Sequence, residues 1–311
     1  MNEEKLKSEE QNLELNLTQF YPDVWRYIDS CSVKYQNDYF RFQKLQSIIL
    51  ICIPLFVILS VTLNYDFPMA ILPFLLLVVL VLINTLLPAE KYALAWQITR
   101  SVSESIKREV WLYFMSCDSF GTGTPAKTSD SRSYFISTVT KLVKSLDIKC
   151  GSIQGDEKGG FYVTDYIDKM RLSDTMQKFD YYKRYRMDDQ INWYKNKSNR
   201  NGLLGKNFYL SMLIVIFISL ALSLVLGLIY HGYLEVIDLL VAIILSLQSY
   251  GNSKRFIELE YTYKNTFLEL KEIKERAESP SADETCKIVK LFELAISREH
   301  EIWRYRHGAK A

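Results

Sequence analysis

Four long apolar runs, arranged as two closely spaced pairs, constrain this 311-residue chain more than any other feature. At about 1.5 Å of rise per residue, helices of this length approach or cross a hydrocarbon core roughly 30 Å thick. The fourth run is the shortest and contains Asp238, but its partner must return across the membrane, so we count it as a span. The runs cover residues 47–63, 67–87, 208–230 and 234–247, and we extend the fourth span to residue 250.

The placement of Lys and Arg orients the spans. The turns inside the two pairs, residues 64–66 and 231–233, carry neither Lys nor Arg, whereas the flanks on the other side are basic. Because basic residues stay on the cytoplasmic side of a membrane, we expect both termini and the segment 88–207 in the cytosol. Very little of the chain then protrudes on the far side.

Charge and motifs exclude several function classes. The 38 Lys and Arg residues balance 36 Asp and Glu residues to a net charge of +2, which argues against a dedicated nucleic-acid binder. The five cysteines are odd in number, show no CxxC spacing and lie mostly in segments placed in the cytosol. We therefore expect no disulfide framework. Without a phosphate loop, an HExxH motif or a nucleophile elbow, we predict no enzyme, no cofactor and no metal site.

No segment alternates apolar and polar residues at period two, so the predicted fold is an all-α membrane protein. It has four transmembrane helices as two hairpins, with long cytosolic helical extensions. The predicted domains are a polar tail (1–18), a first two-span unit (19–116), a linker with short helices (117–174) and a second two-span unit (175–311). Helices are predicted over 24–46 into the first span, 88–115, 134–146, 164–172, 175–206 into the third span, 252–276 and 282–306, with loops at 117–133 and 147–160.

Small and acidic residues mark the second pair of spans. Ser219, Ser223 and Gly227 follow one another at intervals of four and fall on one helix face, where small residues allow close helix packing. They form either an oligomer seam or pore lining, or a packing face within one protomer, and the second is favoured. Asp238 is a functional candidate because a charge inside a span is costly. It also lies near enough to the interface to reach water, and both interpretations stay open.

Basic and aromatic residues alternate just before the third span. The stretch from Tyr181 to Arg186, followed by Trp193 and Tyr194, can bind anionic lipid or stack on a nucleotide. The lipid-interface interpretation is favoured. In the last helix, Arg298, His300 and Trp303 form either a solvated or inter-helix face or, less favoured, a ligand site.

The segment just before the third span, from Arg186 to Ser198, resembles a known family. Arg186, Gln190, Trp193, Tyr194 and Lys197 match the Arg-x-x-x-Gln-x-x-Trp-Tyr-x-x-Lys-Ala pattern of the SLATT domain, the SMODS- and SLOG-associating two-transmembrane effectors. Ser198 stands where the pattern has Ala. The first half resembles a divergent SLATT subfamily. Its matching residues are Tyr21, Pro22, Asp29, Ser30, Cys31, Ser32, Gln36, Trp96, Arg100, Ser103, Glu104, Ser105, Lys107 and Trp111, and residues 297–303 are similar to the family's closing helix.

The resemblance implies an effector of a bacterial conflict system. Such a protein is expected to oligomerise in the inner membrane and to open a pore when an upstream nucleotide-linked sensor signals. The alternatives are a membrane-anchored scaffold and a constitutive ion channel with a cytosolic regulatory body. Its expected partners are the lipid bilayer, further copies of itself, and a nucleotide second messenger or a sensor protein, with no nucleic-acid polymer. The residues expected to receive the signal or form interfaces are Arg186, Gln190, Trp193, Tyr194, Lys197, Glu104, Arg298, His300 and Trp303.

Overall fold

A computed structural model describes residues 20–62, 68–86, 89–120, 128–150, 160, 163–229, 234–277 and 280–306. Within these residues the chain forms helices and no strand, which confirms the all-α prediction. A 3₁₀ turn covers Asp118–Phe120, and a π-helical turn at Lys183–Met187 joins α6 to α7. The α-helices are α1 Asp23–Thr62, α2 Pro68–Leu86, α3 Ala89–Met115, α4 Thr128–Cys150, α5 Asp165–Arg171, α6 Thr175–Tyr182, α7 Asp188–Ile229, α8 Leu234–Lys254, α9 Phe256–Glu275 and α10 Ala282–Arg306.

The predicted helices agree with most of these bounds. α1 runs without a break from its polar half into the first apolar run, and α10 has the predicted limits. α9 begins later than predicted because α8 continues to Lys254, and Arg255 interrupts the helix with a left-handed φ of 49°. The loop predictions were wrong at their edges, since the 3₁₀ turn follows Cys117 and α4 covers residues 128–150. The polar tail and the turns at 64–66 and 231–233 lie outside the described residues.

Among the described residues, four helices are long and apolar enough to cross a membrane, as predicted. They lie within Asp23–Leu59, Ile71–Phe120, Thr175–Val225 and Val236–Glu275. In the most apolar stretch of each, at most 11% of the residues are buried by the rest of the chain. Apolar surface of this extent is not stable in water, so it is covered by lipid or by other protein. The chain is therefore a membrane protein.

The chain divides into two compact units. The first, here called the core unit, consists of the described residues up to Tyr35, Leu94–Lys195 and those from Lys264 onwards. The second, here called the span unit, consists of Gln36–Ala93 and Asn196–Tyr263. Both predicted two-span domains contribute residues to each unit, because every long helix that leaves a span supplies its polar half to the core unit.

An aromatic cluster forms the centre of the core unit. Phe20, Trp111 and Phe114 are fully buried. The Trp111 ring lies 4.4 Å from the Phe20 ring and 5.5 Å, edge to face, from the Tyr182 ring. Each such aromatic pair adds about 0.5–1.5 kcal/mol beyond the burial of its area. The cluster joins the segment before α1, the end of α3 and the end of α6.

Glycines allow close helix contacts in the span unit. A Cβ atom at Gly205 of α7 would lie 3.0 Å from the Phe256 Cβ, and one at Gly251 of α8 would lie 2.5 Å from the Phe208 Cε1. The Ser198 hydroxyl of α7 donates to the Glu260 carbonyl oxygen of α9 at 3.1 Å. α7 therefore packs against the end of α8 and the first half of α9 at van der Waals distance, with no space for a side chain at these glycines.

Candidate functional site: a buried ion pair in the core unit

The local geometry of the site comes from the π-helical turn between α6 and α7. In this turn the Asp188 N–H donates to the Lys183 carbonyl oxygen, five residues back rather than four. The extra residue per turn changes which side chains share a face, and such insertions are frequent at functional sites. Tyr182 and Arg186, four residues apart, both face the interior of the core unit, with exposed fractions of 0% and 2%.

Arg186 makes a two-point ion pair with Glu293 of α10. Its Nε and Nη2 groups donate to the Glu293 Oε1 and Oε2 atoms, both at 2.8 Å. The Tyr182 hydroxyl donates to Oε1 at 3.0 Å. Glu293 is 1% exposed. Because a buried ion pair compensates its loss of hydration only with good geometry and further hydrogen bonds, this carboxylate depends on both partners.

The pKa shifts of Arg186 and Tyr182 agree with a charged guanidinium and a neutral phenol. Burial acts to lower the pKa of Arg186, but the charge and hydrogen bonds of Glu293 raise it well above its ordinary value. Burial raises the pKa of Tyr182, and the neighbouring Glu293 carboxylate raises it further. Tyr182 therefore remains a hydrogen-bond donor throughout the physiological range.

A second buried hydrogen bond lies beside the ion pair. The Trp111 indole N–H donates to the Tyr21 hydroxyl at 2.9 Å. Burial raises the pKa of Tyr21, and the positive charge of Arg186 partly opposes this shift. The contact between the Trp111 and Tyr182 rings connects this hydrogen bond to the ion pair. Residues from both ends of the chain therefore meet in one buried polar cluster.

A further charged cluster lies between α1 and α3. The Glu104 carboxylate, which is 7% exposed, accepts from Arg100 at 2.9 Å and from Lys107 at 3.2 Å. The Asp29 carboxylate of α1 accepts the Ser103 hydroxyl at 3.1 Å. The hydrogen bond from Ser103 to Asp29 joins the polar half of α1 to α3, whereas both ion pairs of Glu104 lie within α3.

One face of α10 carries most of its polar contacts. Cys286, Lys290, Glu293 and Ser297 follow at intervals of four, three and four residues, which places them on one side of a helix. Glu293 pairs with Arg186, and the other three contact the end of α3 or the residues after it. The Lys290 Nζ lies 2.9 Å from the Asp118 carboxylate, the Arg108 Nη1 lies 3.5 Å from the Ser297 hydroxyl, and the Cys286 Sγ is bonded to the Cys117 Sγ.

A single disulfide joins Cys117 and Cys286, whereas the sequence-based expectation was that there is no disulfide framework. Their Cα atoms lie 5.3 Å apart, although 169 residues separate them in sequence. Cys31 and Cys52 are free thiols. The expectation rested on spacing and on compartment, and neither reports a contact made by the folding of two distant segments.

Comparison with family models identifies the two halves of the chain. A model of the SMODS and SLOG-associating 2TM effector domain 3 matches residues 22–178, which is more than half of the chain. The chain belongs to the SLATT family. A second model, of the SMODS and SLOG-associating 2TM effector domain 1, matches residues 182–303, so two SLATT domains follow in tandem, as the resemblance implied. No curated protein and no solved structure matches the chain.

The SLATT boundaries show where the buried cluster comes from. Arg186 and Glu293 stand near the two ends of the second SLATT domain, and Trp111 belongs to the first. The ion pair thus closes the second domain on itself, with the first domain packed against its Tyr182 side.

The structure places the SLATT pattern residues in different environments. Tyr194 is 1% exposed and its ring lies 4.9 Å from the ring of Trp193, which is half-buried. Gln190 donates to Asp189 at the surface, and Lys197 is half-buried in the span unit. The lipid-interface interpretation was wrong for Tyr182 and Arg186, because both are buried in protein.

The predicted residues of the last helix and of the spans divide in the same way. Arg298 makes an exposed ion pair with Glu269 at 2.8 Å. His300 and Trp303 lie on α10, but their side chains are outside the described residues. In the spans, Ser219 is 6% exposed, Ser223 is half-buried, Asp238 is exposed, and Gly227 lies on α7. The burial of Ser219 within a single chain favours the packing interpretation at that position.

Sequence reasoning missed Glu293 as a functional residue. It stands in the run Leu291-Phe292-Glu293-Leu294-Ala295-Ile296, where a single carboxylate has apolar neighbours on both sides. A buried acid needs a buried cation, so this run could have indicated a partner. Its identity as Arg186 could not be read from the sequence, because the two residues lie 107 positions apart.

Proposed function

We propose that the protein is an oligomeric membrane effector of a bacterial anti-phage or conflict system, without catalytic activity. It opens a pore in the inner membrane, or disrupts it, when an upstream nucleotide-linked sensor signals. The observation that carries this proposal is the tandem of two SLATT effector domains on four spans. Because so few residues of the apolar stretches are buried within one chain, most of the span surface is available for lipid or for further copies.

The core unit holds the effector in its restrained state. In this proposal it lies in the cytosol with both termini, as the distribution of Lys and Arg around the spans supports. α7 links the two units directly, since it begins beside Arg186 and continues through the third span. A change in the buried contacts of α10 and the π-helical turn therefore acts on the helix that enters the membrane.

The signal must favour the released state by binding it better than the restrained state. A nucleotide second messenger or the sensor protein itself would supply this difference in affinity. The buried Arg186–Glu293 pair suits a two-state element. It is stable when all of its hydrogen bonds are formed, and separating the two buried charges costs free energy. Intermediate separations leave one charge buried without compensation.

In the spans, Asp238 is the residue proposed to act on ions. It is exposed on α8, and a ring of such carboxylates in an oligomer favours cations. Ser223 and Gly227 are proposed to lie at the seam between copies, whereas Ser219 supports the packing inside each copy.

The experiment that tests this proposal counts subunits and traces the path through them. Particles of the full chain in lipid nanodiscs are imaged, and the conductance of planar bilayers containing the wild type is compared with that of Asp238→Asn. The proposal expects an oligomer with a continuous polar path and a reduced cation preference in the variant. A monomer or dimer with closed spans favours a scaffold and contradicts the proposal. Full conductance without any activator identifies a constitutive channel instead.

A further inference from the structure

The Cys117–Cys286 disulfide joins the segment after α3 to the start of α10. Cys117 follows the end of α3 and is fully buried, whereas Cys286, in the second turn of α10, is partly exposed. The residues on either side of Cys117 have left-handed backbones, with φ of 56° at Ser116 and 58° at Asp118. Such conformations cost energy in residues other than glycine and persist only where surrounding contacts impose them.

The disulfide is the first of the contacts along the polar face of α10. The next, between Lys290 and Asp118, is half-exposed on both sides, and exposed ion pairs contribute about 0–1 kcal/mol. Beyond it, Glu293 makes the buried pair with Arg186. Near its start, α10 is therefore held by one covalent bond and one weak ion pair, together with the buried side chains of Thr285, Ile288 and Val289.

We propose that Cys117 and Cys286 form a redox modification site, whose oxidation fastens the start of α10 to the segment after α3 and whose reduction releases it. In cytosolic proteins thiols are kept reduced, and the disulfides that do form there are usually transient or redox-sensing. The disulfide form is the oxidised, fastened state of this site. Its reactants are a dithiol reductant in one direction and a peroxide in the other.

The chemistry balances in both directions. A thiolate of the reductant attacks the Sγ of Cys286, the less buried of the two cysteines. The bond breaks, and the Cys117 Sγ leaves as a thiolate and takes up a proton. The second thiol of the reductant then displaces Cys286, so that two electrons and two protons pass to the protein and the reductant becomes a disulfide. In the reverse direction, a peroxide accepts two electrons and two protons from the two thiols and yields two waters.

The reduced state is accommodated where the sulfur atoms already lie. The Cys117 sulfur is 3.5 Å from the Met115 carbonyl oxygen, and the Cys286 sulfur is 3.9 Å from the Ser116 carbonyl oxygen. Each thiol can therefore donate a weak hydrogen bond without moving a neighbour. Once the bond is broken, the start of α10 loses its covalent attachment to the segment after α3.

The release of α10 stands on these contacts alone, whereas its consequence for the membrane rests on the proposed function. In that function the oxidised protein is the more restrained effector, because α10 carries Glu293 to Arg186 at the start of α7. Reduction leaves that pair in place but shortens the attached part of α10. A signal then has less to displace.

The test uses the full chain in nanodiscs, treated with hydrogen peroxide or with a phosphine reductant. Peptide mass spectrometry looks for the 117–286 linkage, and hydrogen exchange is followed in peptides of α10. We expect the 117–286 linkage after oxidation. After reduction, hydrogen exchange at residues 284–290 should be at least roughly tenfold faster than in the oxidised protein. Cys286→Ser should show the faster exchange in both conditions. The matched control, Cys31→Ser with Cys52→Ser, should respond as the wild type does.

Absence of the 117–286 linkage after oxidation, or equal exchange in the linked and reduced wild type, would overturn the inference. These comparisons use the wild type, so they hold even if a cysteine variant folds poorly. Dye release from vesicles containing the same samples separates the two proposals. Faster exchange after reduction, with no dye release even from vesicles that contain Glu293→Gln, retains the redox site and counts against the membrane function. Dye release with unchanged exchange supports the membrane function and counts against the redox site.

Discussion

The Glu293 carboxylate accepts both the Nε and Nη2 groups of Arg186 at 2.8 Å, with both side chains at most 2% exposed. The pair connects α10 to the π-helical turn from which α7 extends into the membrane. Arg186 gives each oxygen of Glu293 a donor, and the Tyr182 hydroxyl adds a second donor to Oε1. The arrangement is stable only while all three groups stay together.

Glu293→Gln should destabilise the core unit strongly. The amide cannot balance the Arg186 charge, and breaking one side of a buried pair costs about 3–5 kcal/mol. Thermal unfolding of the full chain in detergent, followed by tryptophan fluorescence, measures the effect. The double variant Arg186→Met with Glu293→Met is the control. It should lose far less stability than Glu293→Gln, because neither charge of the pair is left buried alone. Equal losses in the single and double variants would contradict an energetically coupled pair.

Tyr182→Phe should cost about 1.5–3 kcal/mol, because it removes a hydrogen bond to a charged, buried group. The ring contacts with Trp111 remain, so the packing is preserved. Tyr261→Phe is the matched control, since its side chain is 62% exposed, and it should leave the unfolding midpoint unchanged. Both variants are compared by chemical denaturation in the same detergent. Indistinguishable midpoints would show that the Tyr182 hydroxyl contributes nothing.

The buried carboxyl of Glu109 should make the stability of the folded protein depend on pH. Burial raises the pKa of its carboxyl, and Arg108 only partly opposes the shift. The pKa of the Glu109 carboxyl is higher in the folded than in the unfolded protein. Its contribution to stability is therefore complete below the unfolded pKa and is lost as the pH rises through the folded pKa. Glu109→Gln should therefore stabilise the protein at pH 7, and the gain should disappear near pH 4. Unfolding midpoints across this range measure it, and a gain that grows toward acid pH would contradict the assignment.

The glycines of the span unit predict a contrast between two similar substitutions. Gly251→Ala should destabilise the helix contact, because the new Cβ would lie 2.5 Å from the Phe208 ring, itself packed near Tyr250 and Phe256. Gly202→Ala should be tolerated, because its 2.6 Å contact is with the Glu260 carboxylate, at the end of a side chain that can swing away. Thermal stability in detergent, with Gly251→Ala rescued by Phe208→Leu, tests the contrast. A loss at Gly202 as large as that at Gly251 would refute it.

The spans and most helices could be predicted because their signals are local. An apolar run, a proline before a helix and helical spacing each report on neighbouring residues, which is why the limits of α10 and the continuity of α1 were predicted correctly. The edges of the predicted loops at 117–133 and 147–160 were wrong. The serines of residues 128–133 lower helix propensity without excluding helix once the apolar face of α4 is packed.

The candidate site depended on contacts that no local pattern contains. Arg186 was selected through its place in the SLATT pattern, but its burial and its partner follow from the π-helical turn and from the return of α10. Cys117 and Cys286 are likewise brought together by tertiary folding. A side chain is excluded at Gly251 only because Phe208 of another helix lies over that position.

The central claim is that the chain disrupts the bacterial inner membrane when its core unit is released. The most direct measurement is membrane potential, followed with a dye in bacterial cells that express the wild type or Glu293→Gln at equal, verified insertion. We expect that the wild type leaves the potential intact in uninfected cells, whereas the variant, with its buried pair broken, depolarises them. An inserted variant that leaves the potential unchanged, together with an unchanged potential in phage-infected cells that express the wild type, would contradict it.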